Sequence, residues 1–402
     1  MEWFVYIAWL LILSQAFFSL MVFNNYRYAL EKYNSNKRRY KPRVALIIPC
    51  KNIDTNFEQN ISSFYRQDYD DYLLWFVVGD SRDPAYDKLC KIKERLAGQT
   101  KAKDVQVLIS GAGQACSQKI HNLLYASQKI PGDVEALAFA DSDIFVKPAW
   151  LGRLVQRLRL EKTGATTGYR WYVPEKNNFA TLALVAINAK IAQLMGNTIF
   201  NQAWGGSMAI RVKMFRELGL DKIWQKAVSD DLSLGCAVKG AGRKVEFVPG
   251  CLVATRESTT WAKLFEFGRR QFIITKVAAP KTWLLGLFSS VYSLAGLWGM
   301  AALSIYAAVN SKPHVRLFVA VATIFLIMQF ARAILRQSMA CKLFAEDWSN
   351  LRVAAIVDIA FFWLWSWLML ILILSSIFGR TITWCGIRYK LLGPTETIVL
   401  KS

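Results

Sequence analysis

Two carboxylates stand two residues apart in Asp141-Ser142-Asp143, directly after the apolar run Ala136–Ala140. At the end of a buried strand, such a pair can share one divalent cation. Hard oxygen ligands suit Mg²⁺ or Mn²⁺, with a diphosphate completing the coordination. Asp and Ser also favour ordinary turns. The position after a buried strand makes metal binding as good an explanation of this segment as a turn.

Three more acidic residues occupy positions where they could do chemistry. Asp80 follows another apolar run, where a carboxylate can accept hydrogen bonds from a base or a ribose hydroxyl, although the nearby Asp83 also suits a turn. Asp230 and Asp231 are adjacent, and neighbouring negative charges favour proton uptake, which suits a general base. Both are candidate catalytic residues, and capping of the following helix is the better explanation for one of them, Asp230.

Basic and amide side chains are less specific signals. Lys119 and Asn122 lie three residues apart on one face of a helical run, and a solvated face explains that spacing equally well. Arg269, Arg270 and Gln271 precede the C-terminal apolar segments, where basic residues usually contact lipid head groups.

The elements that would position these residues follow an α/β pattern. Between residues 43 and 281, short β-branched or aromatic runs alternate with helical patterns. We predict apolar strands at residues 44–49, 73–78, 105–110, 134–140 and 244–248, and helices at 56–67, 86–97, 117–128, 179–195 and 220–227. We expect the helix at 179–195 to pack inside the protein rather than on the membrane surface. Ligands bind beyond the carboxyl ends of strands in such sheets, where the acidic residues fall.

Four long apolar segments indicate an integral membrane protein. The 402 residues are 54% hydrophobic, and residues 3–23, 283–309, 317–335 and 353–378 are each long enough to cross ~30 Å of hydrocarbon as a helix. The net charge is +21. Because no nucleic-acid-binding module occurs, we expect no nucleic-acid partner, and anionic lipid head groups as the counter-charge.

The charges that flank the first apolar segment predict its orientation. The segment is too long for a signal-peptide core and is read as a retained anchor. The chain from 27 to 43 is strongly basic, so the positive-inside rule places it and the region after it in the cytosol, at the inner, cytoplasmic membrane. Seven cysteines without paired spacing fit a reduced compartment. Four spans would leave the C-terminal tail outside, unless one segment is re-entrant or interfacial.

These features divide the chain into five parts. They are an N-terminal anchor (1–26), a basic linker (27–42), a cytosolic α/β domain that ends in interface helices (43–281), C-terminal transmembrane helices (282–379) and a tail (380–402).

Five short segments occur in a characteristic order along the whole chain. They are Asp80-Ser81-Arg82-Asp83-Pro84-Ala85, Lys119-Ile120-His121-Asn122, Asp141 with Asp143, Ser229-Asp230-Asp231, and Trp384-Cys385-Gly386-Ile387-Arg388-Tyr389. They resemble the D-x-x-D-P-A, K-x-x-N, D-x-D, S-[DE]-D and W-x-G-x-R-Y elements of the ceramide glucosyltransferase family and its bacterial relatives. This family is related to the cellulose and hyaluronan synthases, which are also membrane-bound inverting glycosyltransferases of the GT-A fold.

The resemblance implies a fold and an activity. It implies a cytosolic, Rossmann-like GT-A domain at 43–281, with one N-terminal and about three C-terminal transmembrane helices. It implies transfer of a single sugar, glucose, from a UDP-sugar to the hydroxyl of a membrane lipid such as ceramide, with inversion. The partners are then the UDP-sugar donor, the lipid acceptor and the bilayer, and the cofactor is Mg²⁺ or Mn²⁺.

The resemblance also implies roles for the residues. Asp231 takes the proton of the lipid hydroxyl, with Asp230 beside it, and Asp141 and Asp143 hold the metal. The donor-binding residues are Pro49, Cys50, Lys51, Asp80, Lys119, Asp141, Arg270 and Gln271. The turn Trp204-Gly205-Gly206 forms part of an acceptor head-group pocket.

One element departs from the family pattern, a Q/R-x-x-R-W segment that precedes the C-terminal spans. Arg270 keeps its first position, but Ile273 and Ile274 replace the Arg and Trp. Isoleucine can neither contact a diphosphate nor stack on an acceptor. Either Arg269, Arg270 or Gln271 takes over this role, or the acceptor differs.

Other functions fit part of the pattern. A processive polysaccharide synthase and a polyprenyl-phosphate glycosyltransferase share the catalytic residues. A degenerate membrane protein or transporter is the non-enzymatic alternative, and Asp358, within an apolar segment, favours it because a charge at that depth is often functional. The intact set of strand-end carboxylates argues for an enzyme.

Overall fold

The computed structural model of the protein describes residues 2–35 and 40–400. The predicted basic linker lies partly outside this range, because residues 36–39 are not among the described residues. The first helix, α1 (Glu2–Tyr33), continues from the predicted anchor through residues 27–33 of that linker.

A mixed sheet of seven strands forms the centre of the domain in the described part of the chain. Its strands are β1 (Val44–Pro49), β2 (Tyr72–Val78), β3 (Asp104–Ile109), β4 (Ala136–Ala140), β5 (Thr163–Pro174), β6 (Ser207–Arg211) and β7 (Lys244–Glu257). Their order is β3-β2-β1-β4-β6-β5-β7. β1 is parallel to β2 and β4, whereas β6 is antiparallel to both β4 and β5. The predicted α/β class is confirmed.

Helices cover both faces of this sheet. They are α2 (Phe57–Tyr65), α3 (Pro84–Arg95), α4 (Gln118–Ser127), α5 (Trp150–Gln156), α6 (Phe179–Ala192), α7 (Val212–Glu217), α8 (Leu220–Trp224), α9 (Asp230–Gly240) and α10 (Trp261–Ala278). Alternate residues of β1 pack into opposite cores, with Leu46 and Ile48 in one and Ala45 and Ile47 in the other. Burial on both faces explains why this strand is apolar throughout. Helix α6 is buried on nearly all sides, as the packed interpretation predicts.

Three helical segments among the described residues are long and apolar enough to cross a membrane. They are α1, the segment formed by α11 (Pro280–Leu294) and α12 (Met300–Val309), and α13 (Val315–Leu343). A π-helical turn at Ala295–Gly299 joins α11 to α12. The next two helices, α14 (Trp348–Ala360) and α15 (Trp365–Ser375), form a pair bent by 89°.

Both ends of the bent pair lie on the side of the α/β domain. Asp347, before α14, accepts from Arg256 of β7 at 3.1 Å. After α15, the carbonyl of Ser376 accepts from Lys276 of α10 at 2.5 Å. The pair therefore enters and leaves on one side, and it stands in place of the fourth predicted span.

The tail forms a small antiparallel sheet of three strands, β8 (Thr381–Trp384), β9 (Ile387–Gly393) and β10 (Glu396–Leu400), which we call the C-terminal sheet. Its Ile382, Tyr389 and Leu391 pack against Ile273 and Ile274 of α10. Because the C-terminal sheet contacts the α/β domain, both lie on the same side of the membrane. Of the two topologies that the sequence leaves open, this arrangement favours the one with a re-entrant segment, because α14 and α15 turn back to the side of the α/β domain.

Asp358 is paired inside the helix bundle. Arg336 of α13 donates to both carboxylate oxygens, each at 2.5 Å, and Gln337 donates to one of them at 2.5 Å. The side chain of Asp358 is fully buried. A buried charge is tolerated when it is paired and hydrogen-bonded. Contact between α13 and α14 therefore accounts for this residue, and it no longer favours a transporter.

Candidate active site

Segments from several strands meet at one edge of the sheet. β1, β2 and β4 are parallel and end there, so the segments that follow them lie side by side. β6 is antiparallel to β4, with Ser207 opposite Ala140, and it therefore begins at the same edge. The predicted acidic segments at Asp80, Asp141 and Asp143 are thus brought to one edge of the sheet, and we call the space beyond this edge the cleft.

Lys119 joins two acidic residues that are far apart in sequence. Its Nζ lies 2.7 Å from Asp141 Oδ1 and 3.1 Å from Asp230 Oδ2. Burial alone would lower the pKa of Lys119, but the carboxylates of Asp141, Asp230 and Asp231 raise it above its usual range. Lys119 is therefore a charged residue of the cleft rather than part of a solvated helix face. Asn122 instead donates to the Val77 carbonyl at 3.0 Å and ties α4 to β2.

Asp231 is held by three hydrogen-bond donors. One oxygen, Oδ2, accepts from the Gly205 N–H at 3.1 Å. The other, Oδ1, accepts from the Ser229 hydroxyl at 2.5 Å and from the Leu232 N–H at 2.7 Å. Three donors fix the orientation of this carboxylate. Asp231 is only half-buried, so this oriented carboxylate can be reached from the cleft.

The cap of α9 differs from the predicted one. Ser229 is the N-cap, and its hydroxyl accepts from the Leu232 N–H at 3.3 Å. Asp230 is instead the first helical residue, 2% exposed and directed at Lys119. Burial raises the pKa of Asp230, and the Lys119 charge opposes that rise. The capping interpretation of Asp230 is wrong because a serine hydroxyl one residue earlier already satisfies the helix end.

Arg170 is a residue of the cleft that the sequence patterns do not reveal. It lies at the cleft edge of β5, with its guanidinium 5.0 Å from the Trp204 ring and 5.3 Å from the Tyr172 ring. Desolvation by the surrounding protein raises the pKa of Asp143, and the negative charge of Asp141 raises it further. The positive charge of Arg170 lowers it. Asp143 remains accessible from the cleft. A lone arginine within the aromatic run 169–172 is the signal that could have found this residue.

Asp80 and Asp83 have different partners. Asp80 is about half-exposed and forms a bidentate pair with Arg82, with Nη2 and Oδ2 2.6 Å apart. This pairing lowers the pKa of Asp80 to about 2. Asp83 caps α3 by accepting from the Ala85 N–H at 2.9 Å, and it also accepts from the Asn52 N–H at 2.9 Å. Asp83 therefore joins the segments that follow β1 and β2.

The segment Pro49-Cys50-Lys51 also reaches the cleft, but with different parts of each residue. Cys50 is 1% exposed, and burial raises the pKa of its thiol, so only its backbone is available to a ligand. Lys51 Nζ donates to the Cys385 carbonyl of the C-terminal sheet at 2.7 Å. The C-terminal sheet therefore borders the cleft.

The turn Trp204-Gly205-Gly206 forms the floor of the cleft beside the acidic residues. Trp204 is buried, and its N–H donates to the Thr167 hydroxyl at 3.0 Å. A Cβ added at Gly205 would overlap Asp230 Oδ2 and lie 2.6 Å from Lys119 Nζ. The turn can approach the ion pair this closely only because it has no side chain there.

Residues 7–396 match the sequence profile of glycosyl transferase family 21, the ceramide glucosyltransferase family. The chain belongs to family 21. It is therefore a glycosyltransferase, and the three long apolar helical segments are consistent with a membrane protein.

Two solved glycosyltransferases are similar to this family 21 chain. One is the mannosyltransferase PcManGT from Pyrobaculum calidifontis, in complex with GDP-Man and Mn²⁺, at 14% identity and a TM-score of 0.47, over 91% of this chain and 96% of that one. The other is GalNAc-T7 with UDP, GalNAc and Mn²⁺, at 13% identity and a TM-score of 0.40, over 63% of this chain and 52% of that one.

The structure explains why this family 21 chain has Ile273 and Ile274 in place of the Arg and Trp of the family pattern. Ile273 and Ile274 are buried between α10 and the C-terminal sheet, so they do not face the cleft. Arg270 Nη1 donates to the Thr383 carbonyl of the C-terminal sheet at 3.4 Å. Burial lowers the pKa of Arg270, and the cleft residues Tyr172 and Arg170 are among the groups whose charges also act on it. Arg269 instead donates to the Phe378 carbonyl at 2.8 Å, and Gln271 is exposed. Of the three polar candidates, Arg270 is the one beside the cleft.

Gly205→Ala should strongly reduce activity. The new methyl group would collide with the Lys119–Asp230 ion pair, so the charged ends of these two side chains would have to move from their positions in the cleft. We expect at least a tenfold fall in kcat/KM, since a rise of ~1.4 kcal/mol in the activation free energy is enough for that. Gly132→Ala is the control, because nothing lies within 4 Å of a Cβ at that position. Equal activity of the two variants would contradict the proposed close approach.

Proposed function

We propose that this glycosyltransferase transfers one glucose from UDP-glucose to the hydroxyl of a membrane lipid such as ceramide, with inversion and with the assistance of Mg²⁺ or Mn²⁺. One observation carries the proposal. The cleft contains an oriented, half-buried carboxylate, Asp231, beside a second acidic group at Asp141 and Asp143 whose charge is balanced by Lys119. Two acidic groups with separate partners can perform separate tasks.

Asp231 serves as the general base in this mechanism. The donors from Gly205, Ser229 and Leu232 hold its carboxylate in one orientation. The carboxylate accepts the proton of the lipid hydroxyl while the hydroxyl oxygen attacks the anomeric carbon, and the bond from that carbon to UDP breaks. Attack on the face opposite the leaving group inverts the configuration. A positioned base of this kind contributes ~10²–10⁴ in rate.

Asp141 and Asp143 would hold the divalent cation. Among the described residues, no three His, Cys, Asp or Glu side chains gather into a site that binds a metal without help. Two carboxylates two residues apart fit a cation whose remaining ligands come from the donor diphosphate. When bound, the cation offsets negative charge on the UDP leaving group.

Two positively charged side chains of the protein assist the departure of UDP. Lys119 is held between Asp141 and Asp230, and Arg170 lies across the cleft on Trp204. Both are ordered by the protein before a donor binds. Preorganised positive charge favours a leaving group that becomes more negative in the transition state.

The acceptor reaches the cleft from the bilayer in this proposal. Exposed aromatic rings gather where α6, α10 and α14 meet. The ring centroid of Phe179 lies 6.0 Å from that of Trp261 and 5.6 Å from that of Phe361. Aromatic side chains of this kind are enriched at membrane interfaces. The cleft faces the cytosol of the inner membrane, since Arg27 and Lys32 lie at the domain end of α1.

Asp143→Ala should abolish metal-dependent binding of UDP. The variant leaves only one carboxylate, Asp141, to share the cation with the diphosphate, and that carboxylate already contacts Lys119. Calorimetric titration with UDP and Mn²⁺ should show a loss of affinity of tenfold or more, which is about 1.4 kcal/mol or more. Asp87→Ala removes an exposed carboxylate of α3 and is the control. UDP binding that does not depend on metal in the wild type would remove the basis of this assignment.

The test of the proposed function is UDP release by the purified, detergent-solubilised protein. UDP-sugars are offered with Mg²⁺ or Mn²⁺ and a lipid extract that contains sphingolipid and diacylglycerol, and the lipids are analysed by mass spectrometry. A lipid that gains one hexose supports the proposal and names both substrates. A long glycan would indicate a processive synthase instead, and a glycosylated polyprenyl phosphate the other alternative. Absence of UDP binding would overturn the proposal.

A further inference from the structure

The closing Trp384-Cys385-Gly386-Ile387-Arg388-Tyr389 segment has no role in the proposed transfer of the sugar. It forms the hairpin between β8 and β9 of the C-terminal sheet. The proposed function assigns chemistry to the α/β domain alone. The hairpin nevertheless contacts three elements of the cleft, which come from different parts of the sequence.

In the first two contacts, backbone carbonyls of the hairpin accept hydrogen bonds from positively charged side chains. The Cys385 carbonyl accepts from Lys51 Nζ at 2.7 Å, and the Thr383 carbonyl accepts from Arg270 Nη1 at 3.4 Å. Both partners are neutral carbonyls, so neither positive charge is balanced by these contacts. Arg270 Nε is buried and has no acceptor among the described residues. The two cations therefore retain the capacity to bind an anion.

The third contact involves the helix that carries Lys119. The Tyr389 hydroxyl accepts from the Gln118 N–H at 3.2 Å, in the first turn of α4. The first N–H groups of a helix have no partner within it, so an outside oxygen satisfies one of them. Tyr389 is 2% exposed and packs in the core between α10 and the C-terminal sheet. The sheet is therefore anchored firmly beside Lys119.

The hairpin turn is also strained. Cys385 has φ +49° and Gly386 has φ +78°, so both central residues are left-handed, as a tight two-residue hairpin requires. Glycine adopts this conformation freely, but a cysteine does so at a cost of ~1–3 kcal/mol. Residues held in such conformations cluster at functional sites. Here the strained residue presents its carbonyl to Lys51 and its exposed thiol to the solvent at the cleft edge.

We propose that the C-terminal sheet completes the donor site, by positioning Lys51 and Arg270 so that the diphosphate of the nucleotide-sugar binds between the α/β domain and the β8–β9 hairpin. This inference rests on the proposed use of a nucleotide-sugar donor. It makes the hairpin a positioning element, because it acts on the ligand through Lys51 and Arg270.

The test uses the native thiols of the full-length protein in detergent. Cys385 lies at the hairpin and Cys236 lies on α9, and both are exposed. The two are alkylated with N-ethylmaleimide, with and without UDP and Mn²⁺, and the rates are read by peptide mass spectrometry. When the UDP concentration is about ten times the Kd, only about a tenth of the protein is free of UDP. The alkylation of Cys385 should therefore be about tenfold slower, and that of Cys236 should not change.

Calorimetry on the same sample separates the two ways in which the experiment can fail. UDP that binds without slowing the alkylation of Cys385 overturns the position of the hairpin and leaves the proposed function intact. UDP that does not bind overturns the proposed function and this inference with it. Protection of Cys385 alone supports the inference.

A pair of glycine variants distinguishes positioning from folding. Gly386→Val breaks the left-handed turn, whereas Gly98→Val makes the same change in a loop where nothing lies within 4 Å of the added Cβ. Loss of a charge-assisted contact to the donor should raise the donor KM about tenfold for Gly386→Val, with little change in kcat. Gly98→Val should leave both constants near those of the wild type. Equal effects of the two variants, or a fall in kcat alone, would overturn the positioning role.

Discussion

Asp231→Asn should reduce kcat by ~10² or more while UDP still binds, because an amide cannot accept the proton of the attacking hydroxyl. The amide oxygen can still accept from Ser229 and Leu232, so the backbone of α9 should keep its place. The contact with the Gly205 N–H would become donor to donor, which adds a smaller local cost. Turnover by UDP release and affinity by calorimetry measure the two effects separately.

Two further variants sharpen this expectation. Asp231→Glu keeps a carboxylate near the same place and should retain more activity than Asp231→Asn. Asp87→Asn removes an exposed carboxylate of α3 and should have no effect on kcat. Weak UDP binding with normal turnover in Asp231→Asn would show that Asp231 binds the donor rather than accepting a proton.

Asp358→Asn should lower the free energy of unfolding by ~3–5 kcal/mol, because Arg336 would become a buried charge without a counter-charge. The guanidinium now donates two bonds of 2.5 Å to one carboxylate, and that carboxylate is fully buried. In a bundle shielded from water, the unpaired cation has no better partner. Reversible unfolding in detergent micelles, followed by helical circular dichroism, measures the loss.

The double variant Arg336→Met, Asp358→Leu tests the cause of that loss. Replacement of both charges by apolar side chains should recover most of the stability, since no buried charge remains. Glu31→Gln is the exposed control, because its pair with Arg27 is open to solvent, and pairs of this kind contribute ~0–1 kcal/mol. A double variant that is as unstable as Asp358→Asn would show that packing, rather than charge, explains the effect.

Patterns that depend on local periodicity could be predicted from the sequence. The apolar run of β1 is predicted at residues 44–49, as the structure has it, and β2 and β4 differ from prediction by one or two residues at their starts. The long apolar helices α1 and α13 are also predicted from composition. By contrast, β5 contains glycines and an arginine, and β6 begins with a serine and ends with an arginine, so neither has an apolar run that stands out.

The chemical types of the site residues are likewise visible in the sequence, but their partners are not. Asp141 and Asp230 can be singled out as acidic residues, yet only the fold places Lys119 between them. The same holds for Ser229, which takes the cap predicted for Asp230. A contact between residues so far apart in the chain depends on the strand order, which periodicity does not reveal.

The sequence by itself determined the membrane helices, the α/β domain and the acidic segments at its strand ends, because periodicity, composition and turn residues act over a few positions. Only the tertiary structure decided that α14 and α15 turn back, that Ile273 and Ile274 are buried, and that the C-terminal sheet lies beside Lys51. Each of these depends on which distant surfaces bury one another. That choice is made by the free energy of the whole fold and leaves no local pattern.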